Sequence, residues 1–413
     1  FAQMARYNTL YMIAKAGSGH LGSSFSSLAI VSWLYLNCMT DSDRYYSSKG
    51  HDAPGLYSVL TALGILPFEK IHQLRRLAGL PGHPVVEVPG MVTNTGSLGM
   101  GVSKAKGFIA ADRLLKRTSG RIFVMTGDGE LQEGQFWESL MSARRLCGNR
   151  LVVIVDHNKI QSDTFVSDVS DLGDLTAKFA AFDFEVLRCD GHDFNALDKC
   201  LSVTPAGDRP VALIADTVKG AGISFMAHTS MEAGEVYYRY HSGAPSPDEY
   251  KLAIDELQSV IIRGFTHAGL SVPVPHSSDI DPIRLPKNVE KMIPAYTGSI
   301  IRQADLNEAV VALDADLVLD TGLIPFKEKY PNRFFECGIS EQDMVSQAGT
   351  MALGGLLPVV HSFACFLSTR PTEQIYNNFT EHTKVVYVGS LAGLLPAGPG
   401  HSHQSVRDIC TMS

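Results

Sequence analysis

The chain has 413 residues, of which 45% are hydrophobic and 19% are charged, and its formal net charge is −8 at pH 7. This length exceeds what one hydrophobic core usually supports, so two or three domains are predicted. The negative charge argues against a general nucleic-acid partner, because binding to a phosphate backbone needs a basic face.

The seven cysteines are scattered and form no C-x-x-C pair. This predicts reduced thiols in a cytoplasmic protein and argues against a disulfide scaffold or a zinc ribbon. No apolar run reaches the roughly 18–20 residues that a bilayer span requires, and no signal-peptide pattern opens the chain, so no membrane association is predicted. The sequence begins at Phe1 and stops in "VRDICTMS", and we expect both ends to be truncated.

Residues 1–268 alternate between helical and strand patterns. This alternation predicts a parallel sheet with helices on both faces. A polar stretch with several prolines, residues 269–294, is typical of an interdomain linker. The β-rich runs are "RIFVMT" (121–126), "RLVVIVD" (150–156), "FEVLRCD" (184–190) and "VALIADT" (211–217).

Residues 295–413 predict a second α/β domain, so the fold class is α/β with two doubly wound parallel-sheet domains. A helix is predicted over 299–313 and another over 340–355. The predicted strands are "VALDADLV" (311–318) or "LVLD" (317–320), "RFFECG" (333–338), "LPVVHSF" (357–363) and "KVVYVGS" (384–390).

Two polar residues follow neighbouring predicted strands of the first domain. Asp128 lies in a G-D-G turn after the first strand, a helix is predicted from Glu130 to Gly148, and Asn158 follows the next strand. Ligands of open α/β sheets bind at the carboxyl ends of the strands, so these two side chains can converge there. Carboxylate, amide and carbonyl oxygens suit Mg²⁺ or Ca²⁺ bound to phosphates. The alternative is a helix-capping aspartate and a turn asparagine.

This arrangement resembles the thiamine-diphosphate motif, and further motifs are similar, in order and over nearly the whole chain, to the transketolase family. The motifs that carry the resemblance are "KAGSGHLGSS", "SSKGHDAPGLY", "GLPGHP", "TGSLGMGVSKAKG", "GDGELQEG", "DHNKI", "KGAGISFM", "HSGAP", "ALDADL", "RFFECGISEQDM", "HSFACF" and "GHSHQSVRDI".

The resemblance implies a diphosphate-binding domain (1–268), a linker (269–294), a pyrimidine-binding domain (295–413) and a C-terminal domain that is absent from this sequence. It implies a transferase that moves a two-carbon ketol unit from a ketose to an aldose through a thiamine-diphosphate carbanion. It also implies sugar substrates and a homodimer whose active sites lie at the subunit interface, with a large apolar contact.

The resemblance also implies which residues bind the cofactor. Asp128, Asn158 and the carbonyl of Ile160 would hold Mg²⁺ or Ca²⁺, and Gly129 and His51 would lie beside the diphosphate. In "TGSLGMG", Gly96 and Leu98 would contact the aminopyrimidine. A nicotinamide site in this glycine-rich run is disfavoured, because no strand is predicted to run directly into it. Glu133 resembles a buried glutamate that couples the two active sites.

Glu341, which follows "RFFECGI", would hydrogen-bond N1′ of the aminopyrimidine and activate the thiazolium ring. Ser340 and Asp343 form the Ser-x-x-acid pattern of a helix N-terminus. Phe363 and Phe366 would pack around the aminopyrimidine. Without the resemblance, a solvated first-turn glutamate and two core aromatics would be the simpler interpretations.

Five histidines in glycine-rich motifs match family positions that move protons or hydrogen-bond sugar hydroxyls. The local spacing of His241, in "YHSGAP", differs from the family pattern. A lone histidine is more often structural, but five at matched motifs favour catalysis. They are His20, His51, His83, His241 and His403.

The substrate positions depart from the family. Arg302 matches the phosphate-binding arginine, but Asp320 stands where a serine is expected, and an acid there would repel a phosphate. Leu391 replaces a histidine, and Pro399 replaces the aspartate that contacts a ketose hydroxyl. These changes predict an unphosphorylated, modified or nucleotide-linked sugar. The alternatives are a deoxyxylulose-phosphate-synthase-like or decarboxylating enzyme of the same superfamily, or one chain of a split enzyme.

Overall fold

The computed structural model describes residues 1–117, 120–202, 207–272, 291–394 and 399–412. The chain forms two compact units. Unit 1 comprises the described residues within 1–164, 172–283 and 398–400, and unit 2 comprises those within 165–171, 284–397 and 401–413. Most of the predicted linker, residues 273–290, lies outside the described residues.

Unit 1 contains a five-stranded sheet in the order β1-β2-β3-β5-β4, and all of its strand pairs are parallel. The four predicted strands are confirmed, and their Val- and Ile-rich centres are almost fully buried, as expected for strands that are covered on both faces. The strand β1 was not predicted, because "RYYS" is short and follows a polar loop. The strands are β1 Arg44–Ser47, β2 Ile122–Gly127, β3 Leu151–His157, β4 Glu185–Asp190 and β5 Val211–Asp216.

Helices surround this sheet in chain order. A short π-helix, Leu34–Cys38, follows α2 directly, and 3₁₀ turns occur at Phe68–Gln73, Gly129–Gln132, Gly148–Arg150 and His228–Ser230. The α-helices of unit 1 are α1 Ala2–Ala16, α2 Leu21–Trp33, α3 Ala53–Ala62, α4 Gly101–Leu114, α5 Gly134–Leu140, α6 Ala143–Cys147, α8 Leu175–Ala181, α9 Phe194–Leu201 and α10 Pro247–His267; α7, Val166–Ser170, is grouped with unit 2.

The single helix predicted from Glu130 to Gly148 was wrong. The structure forms a 3₁₀ turn, then α5 and α6, because Glu133 adopts an extended backbone (φ −66°, ψ 123°) that interrupts the helical path. Gly148 does end the segment, with φ +56°, a conformation that glycine adopts at little cost. The break places Glu130 and Glu133 in a buried turn rather than on a continuous helix.

Unit 2 contains a four-stranded parallel sheet in the order β7-β6-β8-β9. The strands are β6 Val310–Asp314, β7 Phe334–Glu336, β8 Leu357–Phe363 and β9 Val386–Ser390. The remaining helices are α11 Met292–Leu306, α12 Ile324–Lys329, α13 Glu341–Leu353, α14 Ala364–Leu367, α15 Thr372–Thr380 and α16 Asp408–Met412, with 3₁₀ turns at Pro331–Arg333 and His401–His403.

Two details of unit 2 differ from the prediction. The helix predicted over 299–313 ends at Leu306, and β6 begins at Val310, because the β-branched pair Val310–Val311 enters the sheet. The alternative strand "LVLD" (317–320) is a turn. The α/β fold class is confirmed, since both sheets contain only parallel strands. Within the described ranges, no helix has the length and apolarity that crossing a bilayer requires.

Candidate functional site

Asp128 and Asn158 leave two neighbouring parallel strands at the same edge of the sheet of unit 1. In the register of β2 and β3, Gly127 lies opposite Asp156, so the residues that follow each strand end side by side. The Asp128 carboxylate accepts hydrogen bonds from the backbone nitrogens of Gly129 (2.9 Å) and Lys159 (2.6 Å). Burial, together with the nearby Asp156 carboxylate, raises the pKa of Asp128, so a cation would stabilise its charged form.

The predicted third ligand, the Ile160 carbonyl, lies in the same turn. The Asn158 side-chain oxygen accepts from the Ile160 nitrogen at 3.1 Å. The Ile160 carbonyl accepts from the ammonium of Lys219 at 3.1 Å, and that ammonium also donates to the Gln161 carbonyl and to His241 Nδ1 (2.9 Å). The structure therefore places a buried cation beside the carbonyl that was predicted to bind a metal.

A buried ion pair supports this turn from below. Lys49 and Asp156 are 1% and 0% exposed, and Lys49 Nζ lies 2.5 Å from the carboxylate. The same carboxylate accepts from Ser26 Oγ (2.6 Å) and Thr217 Oγ1 (2.5 Å). Burial alone would disfavour both charges, but the pairing holds the pKa of Lys49 above, and that of Asp156 below, its usual value. The pair is charged and fixes the end of β3.

Four of the five predicted histidines form one group in unit 1. The ring of His20 lies 5.4 Å from His51, 5.6 Å from His83 and 5.2 Å from His241. Burial lowers the pKa of all four, that of His83 to about 4. Four neutral imidazoles are thus available to exchange protons or to hydrogen-bond hydroxyl groups near pH 7. His241, whose spacing differs from the family pattern, is a full member of this group.

The glycine-rich loop at 95–99 packs against the turn that carries His51. A Cβ atom at Gly50 would lie 2.5 Å from the Gly96 nitrogen, so the two backbones touch. The loop continues through Leu98, and the Gly99 nitrogen donates to Glu130 Oε1 at 2.9 Å. Glu130 is buried and also accepts from Ser48 Oγ at 2.5 Å, while Glu133 is buried against Gly99. No strand enters this loop, as predicted.

In unit 2, Glu341 is the first residue of α13 and is only 3% exposed. Arg370 Nη1 lies 2.8 and 2.9 Å from its two carboxylate oxygens. The helix start is confirmed, but the predicted side-chain cap is wrong: Ser340 Oγ donates to the Cys337 carbonyl at 2.6 Å and not into the helix. A buried carboxylate held by one guanidinium has a fixed position.

The aromatic residues lie around the same arginine. The guanidinium of Arg370 is centred 4.2 Å from the ring of Phe366, and the ring of His403 lies 5.0 Å from Phe366 and 5.8 Å from Phe363. Both phenylalanines are partly exposed rather than core residues. The structure thus brings together Glu341, Arg370, Phe363, Phe366 and His403, which we call the Glu341 group.

The predicted substrate residues are more scattered. Arg302 is exposed on α11 and donates to Ser299 Oγ at 2.9 Å. Asp320 is half-buried in the turn after β6, and burial raises its pKa. In the part of unit 2 that the structure describes, neither residue bonds to the Glu341 group. Leu391 has φ +58°, and the Pro399 carbonyl lies 2.6 Å from His83 Nδ1.

Three functional candidates were not singled out from the sequence: Lys49, Lys219 and Arg370. The first two stand inside quoted motifs, "SSKGHD" and "KGAGIS". A lysine that is almost fully buried is rare unless it is paired, but burial is not visible in the sequence. Arg370 lies 29 residues after Glu341, so only the packing of α13 against β8 and the following turn reveals their pairing.

The residues of unit 1 fit a metal-bound diphosphate. Asp128, Asn158 and the Ile160 carbonyl offer hard oxygen ligands of the kind that Mg²⁺ prefers, and Lys49 and Lys219 add two buried cations. Several buried polar atoms in this region have no partner among the described residues: His20 Nδ1, Thr95 Oγ1 and Asp52 Oδ1. A polar ligand would satisfy such atoms. A search of the described residues for clusters of His, Cys, Asp and Glu finds no metal site, but the predicted set uses an amide and a carbonyl instead.

Comparisons with known proteins match both units. Residues 1–236 match the thiamine diphosphate binding domain of transketolase, and residues 291–413 match the pyrimidine binding domain of transketolase. Mouse transketolase is 31% identical over 432 residues, which cover 99% of this chain and 67% of that protein. One of the subunits of the apulose-4-phosphate transketolase of Actinobacillus succinogenes is 36% identical over 252 residues, 58% of this chain and 88% of that relative.

Solved structures agree on the fold. The transketolase of Campylobacter jejuni superposes with a TM-score of 0.53 at 23% identity, over 99% of this chain and 72% of that protein. The transketolase of Leishmania mexicana gives a TM-score of 0.53 at 20% identity, over 99% of this chain and 70% of that protein. At these identities the structural likeness shows the fold alone.

Proposed function

The chain belongs to the transketolase family, and from this premise we propose that it transfers a two-carbon ketol unit from a ketose to an aldose with thiamine diphosphate and Mg²⁺. The coarser statement, a transketolase-like enzyme with thiamine-diphosphate-binding domains, follows from the family matches. One observation carries the finer proposal: the Lys219 ammonium contacts both the Ile160 carbonyl and His241. The proposed metal ligands and the histidine group therefore meet at one place.

In this proposal, Asp128, Asn158 and the Ile160 carbonyl hold Mg²⁺ on the diphosphate, and the Lys219 ammonium turns from the carbonyl towards phosphate oxygens. When bound, thiamine diphosphate supplies a thiazolium carbon that attacks a ketose carbonyl and accepts the electrons of the broken carbon–carbon bond. Gly129 and His51 lie beside the diphosphate, and the backbone of Gly96 and Leu98 orients the aminopyrimidine. Ca²⁺ could replace Mg²⁺, since both prefer oxygen ligands.

The neutral histidines supply the proton transfers on the sugar. His20, His51, His83 and His241 can each donate from one ring nitrogen and accept at the other, because their pKa values lie below neutrality. His403 adds a fifth imidazole beside Phe366. General acid–base groups of this kind typically contribute about 10²–10⁴-fold to a rate.

Glu341 is the proposed partner of the aminopyrimidine N1′, with Phe363 and Phe366 packed around the ring. Arg370 keeps the carboxylate in one position through its two short contacts. As in the family to which the chain belongs, we propose a cytoplasmic homodimer in which each cofactor is held by residues of two subunits, and Glu133 couples the two sites. Analytical ultracentrifugation tests this directly, since a monomer with full turnover contradicts it.

The donor is proposed to be an unphosphorylated, modified or nucleotide-linked sugar. Arg302 alone offers a phosphate contact, while Asp320 is an acid and Leu391 and Pro399 cannot bind a hydroxyl through a charged side chain. Steady-state kinetics with fructose 6-phosphate and xylulose 5-phosphate test the idea. High kcat/KM for either phosphate ester would overturn this substrate assignment, but not the ketol transfer itself.

A second candidate is one chain of a split enzyme. It is favoured by the similarity to a relative that is named as one of the subunits of a transketolase, since that relative matches only 58% of this chain. The mass and turnover of the purified chain alone separate the two proposals. A product assay with an α-keto acid against a ketose donor separates ketol transfer from a decarboxylating or deoxyxylulose-phosphate-synthase-like reaction: carbon dioxide release from the keto acid, with no transfer from the ketose, contradicts the main proposal.

A further inference from the structure

Two cysteines of unit 1 lie side by side far along the chain from the proposed active-site residues. Cys189 is the fifth residue of β4, and Cys200 lies near the end of α9, the helix that packs on this strand. The Cys189 thiol lies within hydrogen-bonding reach of Cys200. Both residues are only partly buried and have free thiols.

The two thiols share a cavity that small molecules can enter. A cavity of about 230 Å³ is lined by Cys200 and Lys199 from α9, by Glu185 and Leu187 from β4, and by Arg121. Side chains two and four residues apart on a strand point to the same face, so Cys189 faces the same side as Glu185 and Leu187. The second thiol therefore lies next to the cavity that Cys200 lines.

The charges around the cavity favour reaction at Cys200. Lys199 and Arg121 are cationic and Glu185 is anionic, which leaves one net positive charge beside this thiol. Positive charge stabilises the thiolate, which is the reactive form. The Cys38 thiol, in contrast, is engaged by Arg121 Nη2 at 3.6 Å and donates to the Leu201 carbonyl at 3.7 Å, so it is held away from the pair.

We propose that Cys189 and Cys200 are a thiol modification site that a low-molecular-weight disulfide, such as oxidised glutathione, converts into an intramolecular disulfide. The Cys200 thiolate attacks one sulfur of the small disulfide, forms a mixed disulfide and releases one small thiol. The Cys189 thiolate then attacks the Cys200 sulfur and releases the second small thiol. The two protein protons end on the released thiols, the protein loses two electrons, and the small disulfide gains them.

The product joins β4 to α9 across the cavity. The loop that it closes runs from Cys189 through the turn at Gly191, whose nitrogen donates to the Asp216 carbonyl at 2.8 Å. In this turn His192 Nε2 accepts from the Val218 nitrogen at 2.9 Å. The disulfide would thus fix a segment that contacts the strand end preceding Lys219. The proposal does not depend on the proposed function.

Peptide mapping of the wild-type protein tests the proposal. The reduced full-length chain is incubated with oxidised glutathione, its remaining thiols are blocked with N-ethylmaleimide, and it is digested with trypsin without reduction. Trypsin cuts after Arg188 and Lys199, so the two cysteines fall in separate peptides, 189–199 and 200–219, because Arg209 precedes a proline. We expect these two peptides to appear linked, with both alkylated forms lost together and restored by dithiothreitol.

Two variants sharpen the result. Cys200→Ser should leave Cys189 unlinked and alkylated, whereas the control Cys147→Ser, at a buried thiol elsewhere in unit 1, should leave the linked pair unchanged. Melting curves show whether each variant is folded, and the wild-type map decides the question without either. Recovery of Cys189 and Cys200 as alkylated peptides while the exposed Cys410 is glutathionylated, or a link from Cys200 to Cys38, would overturn the proposal.

Discussion

Replacing Lys49 with methionine should strongly destabilise unit 1. The Lys49 and Asp156 side chains are 1% and 0% exposed and lie 2.5 Å apart. Methionine keeps most of the apolar stem but leaves the carboxylate without its cation. Breaking a buried pair in this way costs about 3–5 kcal/mol. Asp156 still accepts from Ser26 and Thr217, so we expect the lower end, about 3 kcal/mol.

The matched control is Lys159→Met in the same unit. Lys159 Nζ lies 2.9 Å from Asp216, but the two side chains are 41% and 31% exposed, and Asp216 keeps Arg188 at 2.7 Å. A pair this exposed contributes about 1 kcal/mol or less. Urea unfolding followed by circular dichroism compares the two variants. Equal losses of unfolding free energy would refute the reasoning.

The pH dependence gives a second check on the same variant. The pKa of Asp156 is held below its usual value by Lys49 and by two hydroxyl donors, despite its burial. The stability that comes from this pairing is therefore complete above the ordinary carboxyl pKa of 3.8, and it is lost as the pH falls through the folded value. The gap between wild type and Lys49→Met should narrow in acid, and adding Asp156→Asn to Lys49→Met should recover part of the loss at neutral pH.

Three further predictions concern the histidine group and the Glu341 group. The pKa of His83 falls from 6.5 to about 4 on folding, so the unfolded chain binds more protons between these values. Stability should therefore decrease by about 3 kcal/mol as the pH falls from 6.5 to 4; urea titrations at several pH values should show a smaller decrease for His83→Asn, and an unchanged one counts against the assignment. Glu341→Gln should lower kcat on the order of 10²-fold or more while calorimetry shows cofactor affinity close to wild type; a variant that keeps its kcat contradicts the role of this carboxylate. Arg370→Gln should lower kcat by up to about 10²-fold through misplacement of the carboxylate, with partial recovery in Arg370→Lys; steady-state kinetics of both variants measure this, and equal activity of all three proteins shows that the contact has no catalytic role.

The sequence patterns predicted the sheets better than the turns between elements. The buried runs at 121–126, 150–156 and 211–217 gave strands because almost every residue in them is apolar and mostly β-branched. The missed strand, Arg44–Ser47, has a polar residue at each end. The helix predicted from Glu130 breaks at Glu133, whose extended backbone no local signal announced.

The candidate site was predicted from strand ends and motifs, and the structure adds contacts that no pattern shows. Asp128 and Asn158 were predicted to converge, because parallel strands end at one edge of a sheet. The cations beside them were not predicted. Lys219 meets the Ile160 carbonyl only through a fold that joins residues 59 positions apart. Likewise, the Arg370 contact depends on tertiary packing and not on spacing along one helix.

Cofactor binding by an Asp128→Ala variant is the measurement that most directly tests the proposed cofactor site. Calorimetric titration of thiamine diphosphate into the protein under excess Mg²⁺ should give tight binding for the wild type and for Asp183→Ala, a control at a more exposed carboxylate of the same unit. For Asp128→Ala the affinity should fall by at least about 10²-fold, because a ligand lost from the metal itself costs more than a residue behind one. Affinity close to wild type in Asp128→Ala would contradict the proposed site.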